Sequence, residues 1–178
     1  ATSLLGGVLL ETDNEIDIET IKNSGNIDSL EVNQYPFVFV FVSVGDCKCY
    51  RYSPEDNTLT DLSKRESSQG SIGGRGEPDL SNCDISYIPC KQDDLIIILT
   101  SGVSDNFNPN IIGTIPPNYS LMSDSEKIEF CTSKATNLIH RVIGDAPTVT
   151  STVESILNHT REITRISREY MEANSSAK

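Results

Sequence analysis

Pro36-Phe37-Val38-Phe39-Val40-Phe41-Val42-Ser43-Val44 and Asp94-Leu95-Ile96-Ile97-Ile98-Leu99-Thr100 decide the fold. Residues 37–42 and 95–100 are β-branched, aromatic or leucine throughout, and both runs lack polar alternation and are too short for a core helix. That pattern predicts strands buried on both faces. Gly45-Asp46 ends the first and Ser101-Gly102 the second. Upstream, residues 4–10 form another short apolar segment, and Gly6-Gly7 inside it predicts a buried strand with a bend or bulge. Downstream, residues 47–53 alternate, Pro54-Glu55-Asp56-Asn57 supplies turn chemistry and residues 58–60 resume extended structure, which reads as a hairpin. Residues 84–89 read as one more short strand. Residues 11–35 and 63–82 are polar and read as surface insertions.

Helices follow the strands. Ser123 and Glu126 have the spacing of a capping box, and Ile128, Cys131, Ala135, Leu138, Ile139 and Val142 then keep helical spacing until Gly144. A second helix is expected to start at Thr148, after Pro147, with a stripe of Val149, Val153, Ile156, Leu157, Ile163, Ile166 and Tyr170. The predicted helices are therefore 123–143 and 148–173. The fold class is α+β, a pair of antiparallel sheets with helices packed on a face.

The chain has 178 residues, 26 acidic against 14 basic, for a net charge of −12. That length suits one domain. Phosphate neutralisation needs clustered Lys and Arg, so the balance argues against a nucleic-acid partner and against an anionic membrane surface. No apolar run approaches the ~18 residues of a membrane-spanning helix. The first residues lack the basic region of a signal peptide, and the chain begins with Ala. The reading is an internal piece of a longer protein. Five cysteines (Cys47, Cys49, Cys83, Cys90 and Cys131) are an odd number and make no secreted disulfide framework. An intracellular, cytoplasmic setting is expected, and the oligomeric state is left open.

Two predicted strands each lead to a carboxylate, Asp46 and Asp105. A strand end is a rigid place from which to aim an oxygen ligand at a hard cation, although Asp is also simply a favoured turn residue. Cys47 and Cys49 share a strand face, but no second pair with ligand spacing accompanies them, so structural thiols are the preferred reading. His140 and His159 fall on predicted helices, away from any nucleophile, which leaves no Ser/His/Asp triad. Gly73-Gly74-Arg75-Gly76 lacks the strand-to-helix context of a phosphate cradle. The acidic cluster in residues 11–31 lacks the spacing of a calcium loop.

Phe41-Val-Ser-Val-Gly-Asp46-Cys-Lys-Cys-Tyr50 resembles the Val-Gly-Asp-Ser-Arg strand motif of the metal-dependent type 2C (PPM) Ser/Thr protein phosphatases. The segment from Asp94 to Asn106, with Thr-Ser101-Gly-Val-Ser-Asp105 at its end, resembles the same family's Ser-Asp-Gly-x-x-Asp motif. Thr2-Ser3-Leu4 before Gly6-Gly7 is similar to the start of its preceding strand. Gly76-Glu-Pro-Asp-Leu80 and Ser167-Arg-Glu-Tyr-Met171 resemble a divergent subgroup. In order, these stretches cover most of the chain and match the C-terminal portion of the family's domain. The resemblance implies an α-β-β-α layered sandwich, of which residues 1–178 would be an incomplete domain.

The departures bear on activity. The family's Asp-Gly-His-Gly-Gly segment, which supplies a metal-bridging Asp, has no counterpart here. Its Ser-Asp-Gly ligand falls on Ser101, and no final Asp-Asn/His-x-Thr strand follows the helices. Asp46 and Asp105 match positions associated with a weaker additional metal. The resemblance thus implies Mg²⁺ or Mn²⁺ as the cofactor, if there is one, and a protein or phosphoprotein as the partner. A neutral hydroxyl in place of a bridging carboxylate removes a full negative charge from a site meant for two dications. The expectation is a degenerate phosphatase domain, a pseudophosphatase, with a binding or regulatory role. One alternative is an active phosphatase completed by sequence outside these residues. Another is an unrelated acidic interaction module.

Overall fold

A computed structural model describes residues 4–11, 35–63 and 83–174. Six strands occur among the described residues, in chain order: β1 (Leu4–Glu11), β2 (Phe37–Val44), β3 (Lys48–Ser53), β4 (Thr58–Asp61), β5 (Asp84–Cys90) and β6 (Leu95–Leu99). They form two three-stranded antiparallel sheets, one ordered β1-β2-β5 and the other β4-β3-β6. β2 is central, as its composition predicts. The residues opposite one another across its two ladders share a face. Phe37, Phe39, Phe41 and Ser43 therefore look the same way as Leu5 and Gly7 on β1 and as Ile88 and Cys90 on β5. Most of this face meets the second sheet. Phe39, Phe41, Cys49 and Cys90 are buried between the sheets, with Leu5, Ile88 and Ile96 packed around them.

The other face of β3 carries Tyr50 and Tyr52, which share their side of the sheet with Ile97 and Leu95 of β6. They form a second core with Leu99, Phe107, Ile139, Ile143 and Ile156, between the sheet and the helices. The described residues are thus layered helix, sheet, sheet, which is α+β and compatible with a sandwich. On the far face of the β1-β2-β5 sheet, Leu4, Val8, Leu10 and Ile85 are exposed.

Two strand expectations are corrected. β1 is neither buried nor bulged: it is an exposed edge strand, and its register with β2 runs unbroken from Leu4 opposite Val44 to Glu11 opposite Phe37. Gly7 serves packing instead. A Cβ there would stand 2.5 Å from Phe39 Cζ and 2.7 Å from the Val40 carbonyl oxygen. β6 is not buried on both faces either. Among the described residues it is an edge strand paired with β3 alone, and Ile98 is 45% exposed. The hairpin joining β3 and β4 forms as expected, with Asn57 at a positive φ of 49° in its turn.

α1 (Ser101–Ser104) is a single turn, followed by a 3-10 turn at Asp105–Phe107. α2 (Asp124–Ile143) opens with the predicted capping box. The Glu126 N–H donates to Ser123 Oγ, the Ser123 N–H donates to Glu126 Oε2, and Gly144 closes the helix at a φ of 75°. A second reciprocal cap, Thr148 with Ser151, starts α3 (Val149–Ile163). The expected long final helix is instead two, because the chain breaks at Thr164 before α4 (Arg165–Ala173). Thr164 Oγ1 donates to the Thr160 carbonyl oxygen at 2.8 Å, a local bond of the kind that bends helices. The buried side of α3 is also narrower than its apolar stripe. Thr152 and Ile156 are buried, while Val149, Val153 and Leu157 are exposed. Apart from their end residues, the insertions at 11–35 and 63–82 lie outside the described residues. So do the Gly73–Gly76 run, the 11–31 acidic cluster, and the resemblance segments at Thr2-Ser3 and Gly76–Leu80.

Candidate functional site

The two carboxylates singled out in the sequence come from different sheets. β2 ends at Val44, Gly45 turns at a φ of 80° that favours glycine, and Asp46 begins the short crossing to β3 in the second sheet. Asp105 comes from the other side, after β6 has passed through Thr100 into α1. Its N–H donates to the Ser101 carbonyl oxygen, so Ser101 and Asp105 span one turn. Asp105 is solvent-exposed, but partial desolvation raises its carboxyl above the ordinary aspartate value, and the negative charge of Asp46 raises it further. The fold thus brings Asp105 within the electrostatic reach of Asp46.

What holds Asp105 in place was not legible as a site in the sequence. Asn106 is buried and its Nδ2 donates to the carbonyl oxygens of Gly102 (2.8 Å) and Val103 (3.2 Å), clamping the α1 turn. Phe107, 1% exposed, anchors the same turn in the helix-side core. From α3, the His159 ring stacks on Phe107 with centroids 4.5 Å apart, and its Nε2 lies 3.1 Å from the Asn106 carbonyl oxygen. A carbonyl only accepts, so Nε2 carries the proton and donates. His140 acts likewise, with Nε2 3.1 Å from Asn57 Oδ1, which also accepts from the Tyr52 hydroxyl at 3.0 Å. Each histidine thus ties a helix to a loop through Nε2. The one available signal for the Asp105 support was the buried-type residue Phe107 two positions after the carboxylate.

The cysteines sit apart from this chemistry. Burial is the first cause that pushes the Cys49 thiol up to about 12, with Asp61 and Cys90 adding to it. Burial also raises Cys90. A thiol held protonated is neither a ready nucleophile nor a ready ligand. All five cysteines are free.

Two carboxylates suit a single hard cation that keeps most of its water, as Mg²⁺ often does. They do not suit a bridged two-metal centre, which needs shared acidic ligands. Among the described residues no three His, Cys, Asp or Glu side chains gather into a metal-sized group. Also among the described residues, no helix is long and apolar enough to cross a membrane. Comparison of the chain with protein-family models, with curated proteins and with solved structures finds no match.

Proposed function

We propose that this chain is a degenerate type 2C phosphatase-like domain that binds a protein or phosphoprotein partner and does not itself hydrolyse phosphate esters. The observation that carries the reading is that two acidic residues, Asp46 after a strand of one sheet and Asp105 after a strand of the other, lie within electrostatic reach, with Asp105 raised by partial desolvation and by the Asp46 charge. Two strand-end carboxylates one electrostatic step apart are an arrangement that a dication would relieve. Mg²⁺ or Mn²⁺ bound there would supply a positive point to which a phosphate oxygen or a carboxylate could be drawn. Asp46 and Asp105 would hold it, and Asn106, Phe107 and His159 keep the Asp105 turn in place. Ser101, one turn before Asp105, presents a hydroxyl where the resembled motif has a carboxylate. The set is therefore short of the charge needed to activate water between two ions.

Manganese titration of the 178-residue chain, with phosphopeptide hydrolysis as readout and Ser101→Asp in parallel, tests the reading. The expected result is no metal-dependent hydrolysis by the unmodified chain and tighter Mn²⁺ binding by the variant. Robust Mn²⁺-dependent hydrolysis by the unmodified chain would overturn it.

A further inference from the structure

Of the four edge strands among the described residues, three carry some device that discourages further pairing. β4 is four residues long and ends on Asp61, β5 contains Pro89 and starts at Asp84, and β6 is five residues long. Short strands, prolines and charges are the usual guards of an exposed edge. β1 has none of them. It runs eight residues, Leu4-Leu5-Gly6-Gly7-Val8-Leu9-Leu10-Glu11, with its sole charge at the last position. One edge pairs with β2, and among the described residues no strand pairs with the other. Leu4, Val8, Leu9 and Leu10 are between 45% and 55% exposed.

The strand also matches its own reverse. Centred on Gly7, an antiparallel copy sets Leu4 against Leu10, Leu5 against Leu9, and Gly6 against Val8. Each pair keeps its face, because residues equally distant from the centre share parity. On the outer face Leu4 therefore meets Leu10, and Val8 lies over the bare backbone of Gly6. On the inner face the exposed Leu9 meets Leu5, which already packs against the inter-sheet core. Glu11 falls beyond the paired span, so two chains of net charge −12 meet here without opposed carboxylates.

We propose that β1 pairs with β1 of a second copy about a two-fold axis through Gly7, joining two three-stranded sheets into one of six. Such a contact is isologous and closes on itself, giving a dimer rather than a fibre. It uses no residue of the Asp46–Asp105 site, so its failure and the failure of the metal-site reading are distinguishable.

Light scattering of the 178-residue chain across a concentration series is expected to give a dimer of its 19.5 kDa mass. Val8→Lys places a charge on the edge and is expected to raise the dimer dissociation constant roughly tenfold or more with an unchanged circular dichroism spectrum. Register is read by thiol cross-linking followed by peptide mapping. Leu4→Cys mixed with Leu10→Cys should link one variant to the other. Neither variant alone should link to itself at that position, because like positions stand about 20 Å apart at the strand rise per residue. A monomer at every concentration, open-ended assemblies, a dimer indifferent to Val8→Lys, or self-linking by either cysteine variant would each overturn the pairing. A dimer whose mixed variants fail to link overturns it as well, and points to another face or edge as the contact.

Discussion

Gly7 and Gly6 are neighbours in β1 with opposite tolerances. A Cβ on Gly6 meets nothing within 4 Å, whereas one on Gly7 would enter the Phe39 ring and approach the Val40 carbonyl. Gly7→Ala is therefore expected to cost ~1–3 kcal/mol of stability, the usual range for overpacking a filled site. Gly6→Ala should be neutral or slightly stabilising in thermal melts; equal losses at both positions would show that backbone freedom rather than the Phe39 contact explains the pair. Asp105 gives a prediction in pH. Its folded-state carboxyl is raised by burial and by Asp46, so the folded chain holds that proton more tightly than the unfolded chain. Below the ordinary aspartate value both states are protonated and no cost exists. The cost grows as pH rises towards the raised folded value and is full above it. Asp105→Asn should therefore melt higher than the unmodified protein near pH 7, and the gap should close towards about pH 3. Added Mn²⁺ should narrow the gap at neutral pH by stabilising only the unmodified protein. A gap that is independent of pH would assign the effect to packing.

At the scale of elements, the sequence is most informative where local chemistry is self-sufficient. The Ser123–Glu126 box, the Gly144 stop and the Pro54–Asn57 turn each depend on residues within a few positions of one another, and each appears as read. Neighbours in space are another matter. Leu95–Leu99 is as apolar as Phe37–Val44, yet one strand is an edge and the other central, because composition records burial tendency and not how many ladders a strand joins. The α3 stripe misleads for a related reason. Thr152 and Ile156 face the core while larger apolar residues beside them stay exposed, and this rotation places His159 against Phe107 and Asn106. Both aspartates of the candidate site could be named because each follows an identifiable strand end. Their approach to one another could not, since the chain crosses between sheets at Asp46. Asn106 and His159 were invisible as a unit because 53 residues separate them.

The whole molecule hangs on β3. Cys49 lies in the core between the sheets, while its neighbour Tyr50 and then Tyr52 lie in the core beneath the helices. Alternation along one six-residue strand thus builds both interiors. Neither core can dissolve without removing one wall of the other, so the two should unfold together. The chain has no Trp and six tyrosines, of which Tyr50 and Tyr52 lie in the helix-side core, so the part of the fluorescence change that Tyr50→Phe and Tyr52→Phe remove reports that core. Far-UV circular dichroism reports the strands and helices as a whole. Phe41→Ala truncates a ring that is 3% exposed in the inter-sheet core, and a loss of ~3–5 kcal/mol is expected. Although the substitution lies on the far side of β3 from the two tyrosines, the urea midpoints by fluorescence and by circular dichroism should fall together. Ile139→Ala, in the helix-side core, should cost ~2–5 kcal/mol and move both probes in the same way. If Phe41→Ala shifts the circular dichroism transition and leaves the tyrosine transition where it was, the sheets and the helical layer are separate cooperative units, and β3 does not couple them.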